Sequence, residues 1–491
     1  MNLPKTLVTK SVLSRSASPG AMLPTKVVQF GTGNFLHGFV NWVVHRLNLE
    51  TGWKAGVVEV KLRDGSAESI DAINAQDGLY TLNIRGLDPA GVAVDQCELI
   101  ECLTRAIHPY QNFDDFLRLA EEPALEWITS NSTEAGIQFK AEPFLRESPA
   151  ETFPGKLTQF LYHRFKVLGD ASGALLILPC ELIEDNGQHL QRCVEAYVKH
   201  WELPVTFNDW LTRKVTFCDT LVDRIVSGEP SAERISVLGE LLPYIDEQVL
   251  EAESYHLWAL KVPNSEQRKK LSEIVEAISD LNLVVQDDLY DVRQRKVLVL
   301  NGVHTASVLI ALNLQLETVY DGMQSSLLRG YIHRYWQEVP TALLDGDCQA
   351  YIKDIENRFN NPFLDHQWRS IALNSVSKWR ARLLPALAAL AEKNDGSAPK
   401  SLLLSLAVLA SIYTNSRLRT EFNCRDDLSL ISYLDQSYGD WQGSSEEWAR
   451  FMHDDRVWLE CIEVPHDWLL LLNEYSSVLS RDGIEAALRS L

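Results

Sequence analysis

Apolar positions change their spacing along the chain. Up to about residue 290, short β-branched runs alternate with stretches of helical period, and 26–30 (KVVQF), 56–60 (GVVEV), 127–130 (WITS) and 174–178 (ALLIL) read as strands. Strands separated by helices predict a mostly parallel sheet covered on both faces. Beyond that point the β-rich runs stop. Apolar residues then recur at helical spacing through 297–315, 325–339, 369–391, 401–415 and 464–490, punctuated by Pro340, Pro362, Pro385 and the turn-forming 394–399 (NDGSAP). The pattern predicts a loose tail over 1–25, an α/β domain over 26–290 and a mainly α-helical domain over 291–491.

The first strand runs into 30–39 (FGTGNFLHGF), and a helix with apolar period follows through Phe39, Val40, Val43, Val44 and Leu47. Gly31 and Gly33 suit a tight turn whose backbone N–H groups approach a diphosphate at a helix N-terminus, with Phe30, Asn34 and Phe35 around it. The third glycine of the common pattern is replaced by Leu36, and Gly38 comes two residues later. Alone, this turn also reads as a strand-to-helix connection that merely needs a positive φ. At the second strand's end, Glu59 and Asp64 are the carboxylates placed to meet an adenosine ribose, with Lys61 and Arg63 between them. A carboxylate favours NAD and a cation favours a 2′-phosphate, so spacing leaves NAD and NADP both open. The exit 130–136 (SNSTEAG) offers Ser132, Thr133 and Glu134 where a ligand crosses strand ends, or else simply caps the next helix.

Charge narrows the partners. Lys plus Arg number 46 against 67 Asp plus Glu in 491 residues, a formal charge of −21. Such a surface repels phosphate backbones and anionic lipid, which argues against nucleic-acid and membrane partners. A small anion remains compatible, because a local field can oppose the net charge. Eight scattered cysteines without a CxxC pair fit reduced thiols and give no zinc signature. The apolar run 402–413 is short of the roughly 20 residues of a membrane span, and no apolar leader opens the chain. It reads as a soluble, cytoplasmic protein.

Candidate chemistry concentrates in 295–304 (RKVLVLNGVH). If this segment is α-helical, Lys296, Asn301 and His304 fall at roughly 0°, 140° and 80°, on one side of the helix. Val297, Leu298, Leu300 and Val303 supply the packing surface. A lysine beside an apolar wall has its ammonium form disfavoured, which suits proton transfer. Asn301 can donate to an oxygen becoming an alkoxide, and His304 can position or share the proton. Singly, each also reads as a snorkelling lysine, a locally bonded amide and a satisfied histidine. A second amide, Asn186, follows a buried strand in 178–187 (LPCELIEDNG), where Asn-Gly is also a turn pair. In 220–225 (TLVDRI), Asp223 and Arg224 form an internal ion pair or orient a catalytic group.

Taken together, FGTGNFLHGF at 30–39, QDGLYT at 76–81, CELIEDNG from Cys180, LVDRI at 221–225 and KVLVLNGVH at 296–304 resemble the long-chain mannitol dehydrogenase family of polyol and sugar-acid oxidoreductases. The resemblance implies an N-terminal Rossmann-like dinucleotide-binding domain, a helical C-terminal substrate domain, NAD as cofactor and no metal. It also implies a lysine general acid/base with two asparagines around the reacting oxygen. Those roles fall on Lys296, Asn186 and Asn301, with His304 assisting. The stretches 179–183 (PCELI), 131–136 (NSTEAG), 304–306 (HTA) and 358–385 (RFNNPFLDHQWRSIALNSVSKWRARLLP) look like the sugar-acid branch. This implies reversible reduction of tagaturonate to altronate by a monomer or homodimer. Mannitol dehydrogenases and fructuronate reductases typically carry CDN where this chain has Cys180, Glu181 and Leu182. Two further departures are His37, where the family often has arginine, and Ser370, where polyol enzymes place an arginine eight residues before a substrate-binding lysine, here Lys378.

A uronate carboxylate is naturally held by a bidentate arginine. Arg369, Lys378, Arg380 and Arg382 crowd one short stretch. Arg369 and Lys378, with Asp223, are the substrate-binding candidates; Arg380 and Arg382 read equally as a solvated basic face. Rival readings are a neutral-polyol or fructuronate enzyme of the same family, a lyase or aldolase in which Lys296 forms a Schiff base, and a protein that binds NAD without chemistry.

Overall fold

β-branched residues favour a pleated backbone, and here they build the centre of the first unit. In the computed structural model, which describes residues 10–15, 23–133, 136–278, 280–346, 348–393, 397–459 and 463–491, six strands form one sheet. They are β1 (Thr25–Phe30), β2 (Gly56–Val60), β3 (Leu103–Ile107), β4 (Trp127–Ser130), β5 (Leu175–Pro179) and β6 (Val215–Phe217). Their order is β3-β2-β1-β4-β5-β6, with every neighbouring pair parallel. Strand order reverses between β1 and β4, the place where doubly wound sheets open a crevice at their carboxyl ends. Both faces are covered. Val27 and Val57 join one core with Phe39, Val40 and Val43, while Val28, Phe30 and Val58 join the other with Phe116, Leu157 and Phe160.

Two smaller sheets stand in the same unit and were not visible as strands in the apolar pattern. One orders Val226–Gly228, Leu250–Glu253, Tyr80–Leu87 and Ala93–Ile100; the other orders Leu283–Gln286, Leu257–Lys261 and Asp219–Asp223. Each contains an antiparallel pair, so the N-terminal region is a mixed α/β structure rather than a purely alternating one. The described part of the expected loose tail is docked: the Leu13 N–H donates to Ile245 O, and Arg15 donates to Asp77, Glu101 and Leu103.

The chain divides into two compact units, Met1–Arg85 with Ala93–Leu289, and Gly86–Val92 with Tyr290–Leu491. In the second, Asn357 Nδ2 donates to the carbonyls of Asp88 and Pro89, which ties Gly86–Val92 to the helices. Helices Val303–Asn313 and Lys400–Tyr413 are apolar on nearly every side and buried. They pack on each other and on Ser326–Glu338. The predicted stretch 369–391 is three helices, Trp368–Ile371, Ser375–Arg382 and Leu384–Lys393, separated where Asn374 adopts φ 58°. Residues 394–396 of the predicted turn lie outside the described residues. The longest apolar helix is Tyr290–Asn313, not 402–413. By length and composition it could cross a membrane, but 78% of its most apolar stretch is buried inside the fold, as in a core helix.

Candidate functional site

The glycine-rich turn leaves β1 at the strand-order reversal. Gly31 adopts φ +126°, and a Cβ there would meet Leu36 Cδ1 at 2.9 Å and Asn131 O at 3.3 Å. Its N–H donates to Val60 O at 2.9 Å, which pins the turn to β2. Gly33 is exposed with nothing within 4 Å of a built Cβ, so backbone lies open on that side. Phe30 is buried under the turn, Asn34 is exposed, and Phe35 lies tilted against Phe39 with ring centroids 5.1 Å apart. Gly38 does the close-packing work of the missing third glycine, since a Cβ there would strike Val226 Cγ1 at 2.6 Å. Arg224 donates to Gly38 O at 2.8 Å and twice to Glu253 O, with its guanidinium 4.2 Å from the Trp42 ring centroid. It thus clamps the helix behind the turn. Asp223 beside it is buried at the end of its strand, paired with Leu257.

Glu59 departs from expectation. It is fully buried, and its Oε1 accepts from Gln29 Nε2 at 2.7 Å and contacts His37 Nε2. Burial disfavours the His37 imidazolium, but Glu59 overrides this and raises its pKa. Glu59 is therefore an internal partner of His37 and is out of reach of a ribose. Asp64, exposed in the loop after β2 and accepting from the Gly65 N–H at 2.8 Å, is the carboxylate left at that edge. At the exit of β4, Ser132 N and Oγ both donate to Glu181 Oε1, and Ser130 Oγ donates to Oε2. Burial pushes the Glu181 carboxyl up despite those bonds. Thr133 is exposed, and Glu134 lies outside the described residues. Glu181 holds this loop, a role that sequence reasoning missed.

Asn186 also needs correction. Left-handed Asp185 turns the chain so that Asn186 begins helix Asn186–His200, buried. Its Nδ2 donates to Pro179 O, Glu181 O and Thr220 O at 2.9–3.2 Å, and its Oδ1 accepts from the N–H groups of Gly187 and Thr220. Both ends of the amide are committed to backbone. It splices β5 to the Asp219–Asp223 strand and has no donor to spare for an oxyanion.

In the second unit, the run from Lys296 to Gly302 is a π-helical turn leading into helix Val303–Asn313, so the α-helical angles do not apply. Backbone pairing of i with i+5 winds the turn more widely, so Lys296 and Asn301 stand closer together round the axis than they would in an α-helix. Side chains satisfy the carbonyls of this turn: Tyr335 Oη donates to Leu298 O at 3.1 Å, Trp336 Nε1 to Val299 O at 3.0 Å and Thr305 Oγ1 to Asn301 O at 2.8 Å. Gly302 admits Tyr335, whose Oη would lie 2.3 Å from a Cβ. The Asn301 side-chain amide is half-buried and makes no hydrogen bond to a described residue.

His304 is buried, stacked on Phe359 at 4.5 Å and edge-on to His366 at 5.1 Å, and its Nε2 has no hydrogen-bond partner among the described residues. Burial, then His366, Arg358, Arg382 and Lys378, hold its pKa well below the ordinary value, so the ring is neutral. Arg382 Nη1 donates to Thr305 Oγ1 at 3.1 Å. Lys378, one turn before Arg382 on the same helix, donates to Ile371 O. Arg369 is exposed on its short helix and is not among the leading influences on His304, which include His366, Arg358 and Arg382. The i, i+4 spacing of Lys378 and Arg382 was the available signal; Arg358 and His366 had none in sequence. Arg380 faces elsewhere, donating to Val457 O.

Among known proteins, the chain matches the mannitol dehydrogenase Rossmann domain over residues 25–273 and the mannitol dehydrogenase C-terminal domain over 288–437. An altronate oxidoreductase of Enterobacter sp. (strain 638) is 38% identical over 430 residues, 87% of each chain. One from Escherichia coli O1:K1 / APEC is 35% identical over 488 residues, 98% of this chain and 99% of that one. Among solved structures, a substrate-free D-sorbitol dehydrogenase superposes with a TM-score of 0.73 at 18% identity, covering 97% of this chain and all of that one. A Pseudomonas fluorescens mannitol 2-dehydrogenase ternary complex with NAD and D-mannitol gives 0.66 at 18% identity, covering 95% and 94%.

Proposed function

The chain belongs to the mannitol dehydrogenase family, and from that premise we propose that it is an NAD-dependent, metal-independent oxidoreductase interconverting tagaturonate and altronate in the cytoplasm, as a monomer or homodimer. The substrate pair comes from the altronate oxidoreductases that share more than a third of its residues over most of its length. The observation that supports the chemistry is the π-helical turn, which brings Lys296 and Asn301 nearer one another round the helix axis than an α-helix would.

A dinucleotide fits the first unit: positive-φ Gly31, open Gly33 and the strand-order reversal leave backbone accessible to a diphosphate, and Asp64 stands at the edge for a ribose. A nicotinamide dinucleotide held by these residues would supply the hydride. Lys296 Nζ protonates the carbonyl oxygen as it becomes a hydroxyl, and Asn301 Nδ2 donates to that same oxygen. Neutral His304 offers Nε2 to a substrate hydroxyl without adding charge. Asn186 serves the reaction only by holding the loop between β5 and its helix.

The test is NADH consumption by purified protein with tagaturonate, fructuronate and fructose in parallel, chelator present throughout. Turnover of tagaturonate ahead of the other two is the expected result. Oxidation of mannitol without activity on altronate overturns it.

A further inference from the structure

Within the second unit the side chains that act most strongly on His304 are all basic. After burial, His366, Arg358, Arg382 and Lys378 are the leading influences on it, and all four hold its pKa down. This is unexpected in a chain with a formal charge of −21. Two acids stand by these cations: Asp426 accepts from the N–H groups of Val376 and Ser377 at the start of the helix carrying Lys378 and acts on Lys378, and Asp354 faces Arg358 from its own helix.

Arg382 is the most exposed to this imbalance. It is half-buried, burial alone depresses its pKa, and it forms no ion pair among the described residues. A guanidinium withdrawn from water without an anion is costly unless a ligand supplies one. One of its N–H groups is fixed on Thr305 Oγ1, which in turn donates to Asn301 O. The fork is thereby tied to the helix that carries Asn301 and His304, and its remaining donors stay available for a planar, two-oxygen acceptor.

We propose that Arg382, tethered through Thr305 and flanked by Arg358 and Lys378, seats the carboxylate of an acidic sugar substrate and sets the preference for keto-uronates over neutral ketoses. The proposal rests on the oxidoreductase reading above and deepens it. A keto-uronate carries its carboxylate at the far end of the chain from the keto group. An arginine beyond His304 therefore meets that end while Lys296 and Asn301 meet the reacting oxygen. Arg369, exposed on its own helix, is not part of the seat.

The experiment compares kcat/KM for tagaturonate and for a neutral ketose, fructose, in the wild type, Arg382→Met and Arg382→Lys. The expected result is an uronate-to-ketose ratio that falls about 10- to 100-fold in R382M, the scale of a lost charge-assisted hydrogen bond. The loss is expected mainly in KM for the uronate, with partial recovery in R382K, which keeps the charge and loses the fork. Equal losses on both substrates, or an unchanged ratio, overturn the proposal and assign Arg382 a structural role through Thr305. A wild type that reduces fructose and not tagaturonate defeats the functional reading itself, whatever the variants do.

Discussion

Replacing Asn186 separates a catalytic amide from a structural one. In Asn186→Ala the buried N–H groups of Gly187 and Thr220 lose their side-chain acceptor, and the carbonyls of Pro179, Glu181 and Thr220 lose a shared donor. Pro179 O keeps Thr220 Oγ1, and Glu181 O keeps the Ile183 N–H, so the damage falls mainly on the two donors. Leaving each buried donor unmet costs about 1–3 kcal/mol, and with the space left by the amide the sum is about 3–5 kcal/mol. For a unit of this size that lowers the midpoint of thermal unfolding by about 5–8 °C. Asn186→Asp turns an oxygen toward three carbonyl oxygens and is expected to lose at least as much. Well below its midpoint, N186A should retain kcat within about threefold of wild type, because no step of the chemistry passes through that amide. The assays are calorimetric unfolding and steady-state kinetics on the same preparation. A variant that melts with the wild type while kcat falls about 10²- to 10³-fold would restore Asn186 as an oxyanion donor and refute the reasoning.

Lys296→Ala should lower kcat about 10²- to 10⁴-fold with little change in NADH affinity, checked by single-turnover reduction and fluorescence titration. Asp64→Ala should weaken NAD about tenfold and narrow its advantage over NADP, read from KM for each cofactor, whereas a Glu59 substitution should act on stability through His37 and Gln29. Gly38→Ala drives a Cβ to 2.6 Å from Val226 and should cost about 1–3 kcal/mol in denaturant unfolding. His45 and His256 have folded-state pKa values lowered by burial to about 4. The unfolded chain therefore binds more protons below about pH 6.5, so stability is full above that pH and falls as pH drops toward 4, by about 2 kcal/mol per histidine at pH 5. Unfolding midpoints at pH 7 and 5, with His45→Gln and His256→Gln flattening the difference, provide the check.

The strands at the sheet centre were readable because both faces of β1, β2, β4 and β5 are buried, which writes uninterrupted β-branched runs into the sequence. Tyr80–Leu87 is interrupted by buried Asn83 and half-buried Arg85, and Ala93–Ile100 carries Asp95 and Glu98 along a largely exposed length, so neither pattern offers such a run. The glycine turn was legible in Gly31 because only positive φ fits there. Glu59 and Asn186 misled for one reason: a polar residue at a strand end has the same signature whether it faces a ligand or bonds inward. Only the positions of His37, Gln29, Thr220 and Gly187 decide it, and those lie far away in sequence or on a turn of unknown hand. Arg358 and His366 reach His304 through tertiary packing of their segment, which no helical period encodes.

The π-helical turn links these observations. In a regular α-helix Lys296 and Asn301 stand roughly 140° apart, too far round for two side chains to address one oxygen easily. Widening the turn narrows that angle. The cost is a poorer set of backbone hydrogen bonds, offset by Tyr335, Trp336 and Thr305, which donate to the carbonyls of Leu298, Val299 and Asn301. Thr305 then does a second job, since the same hydroxyl accepts from Arg382. One side chain thus connects the backbone of Asn301 with the cation proposed for the carboxylate. Substitution of Thr305 by valine, equal in shape and without the hydroxyl, should therefore reduce keto-uronate turnover more than fructose turnover. If both fall together, the hydroxyl acts only on the π-helical turn and the link to Arg382 is broken.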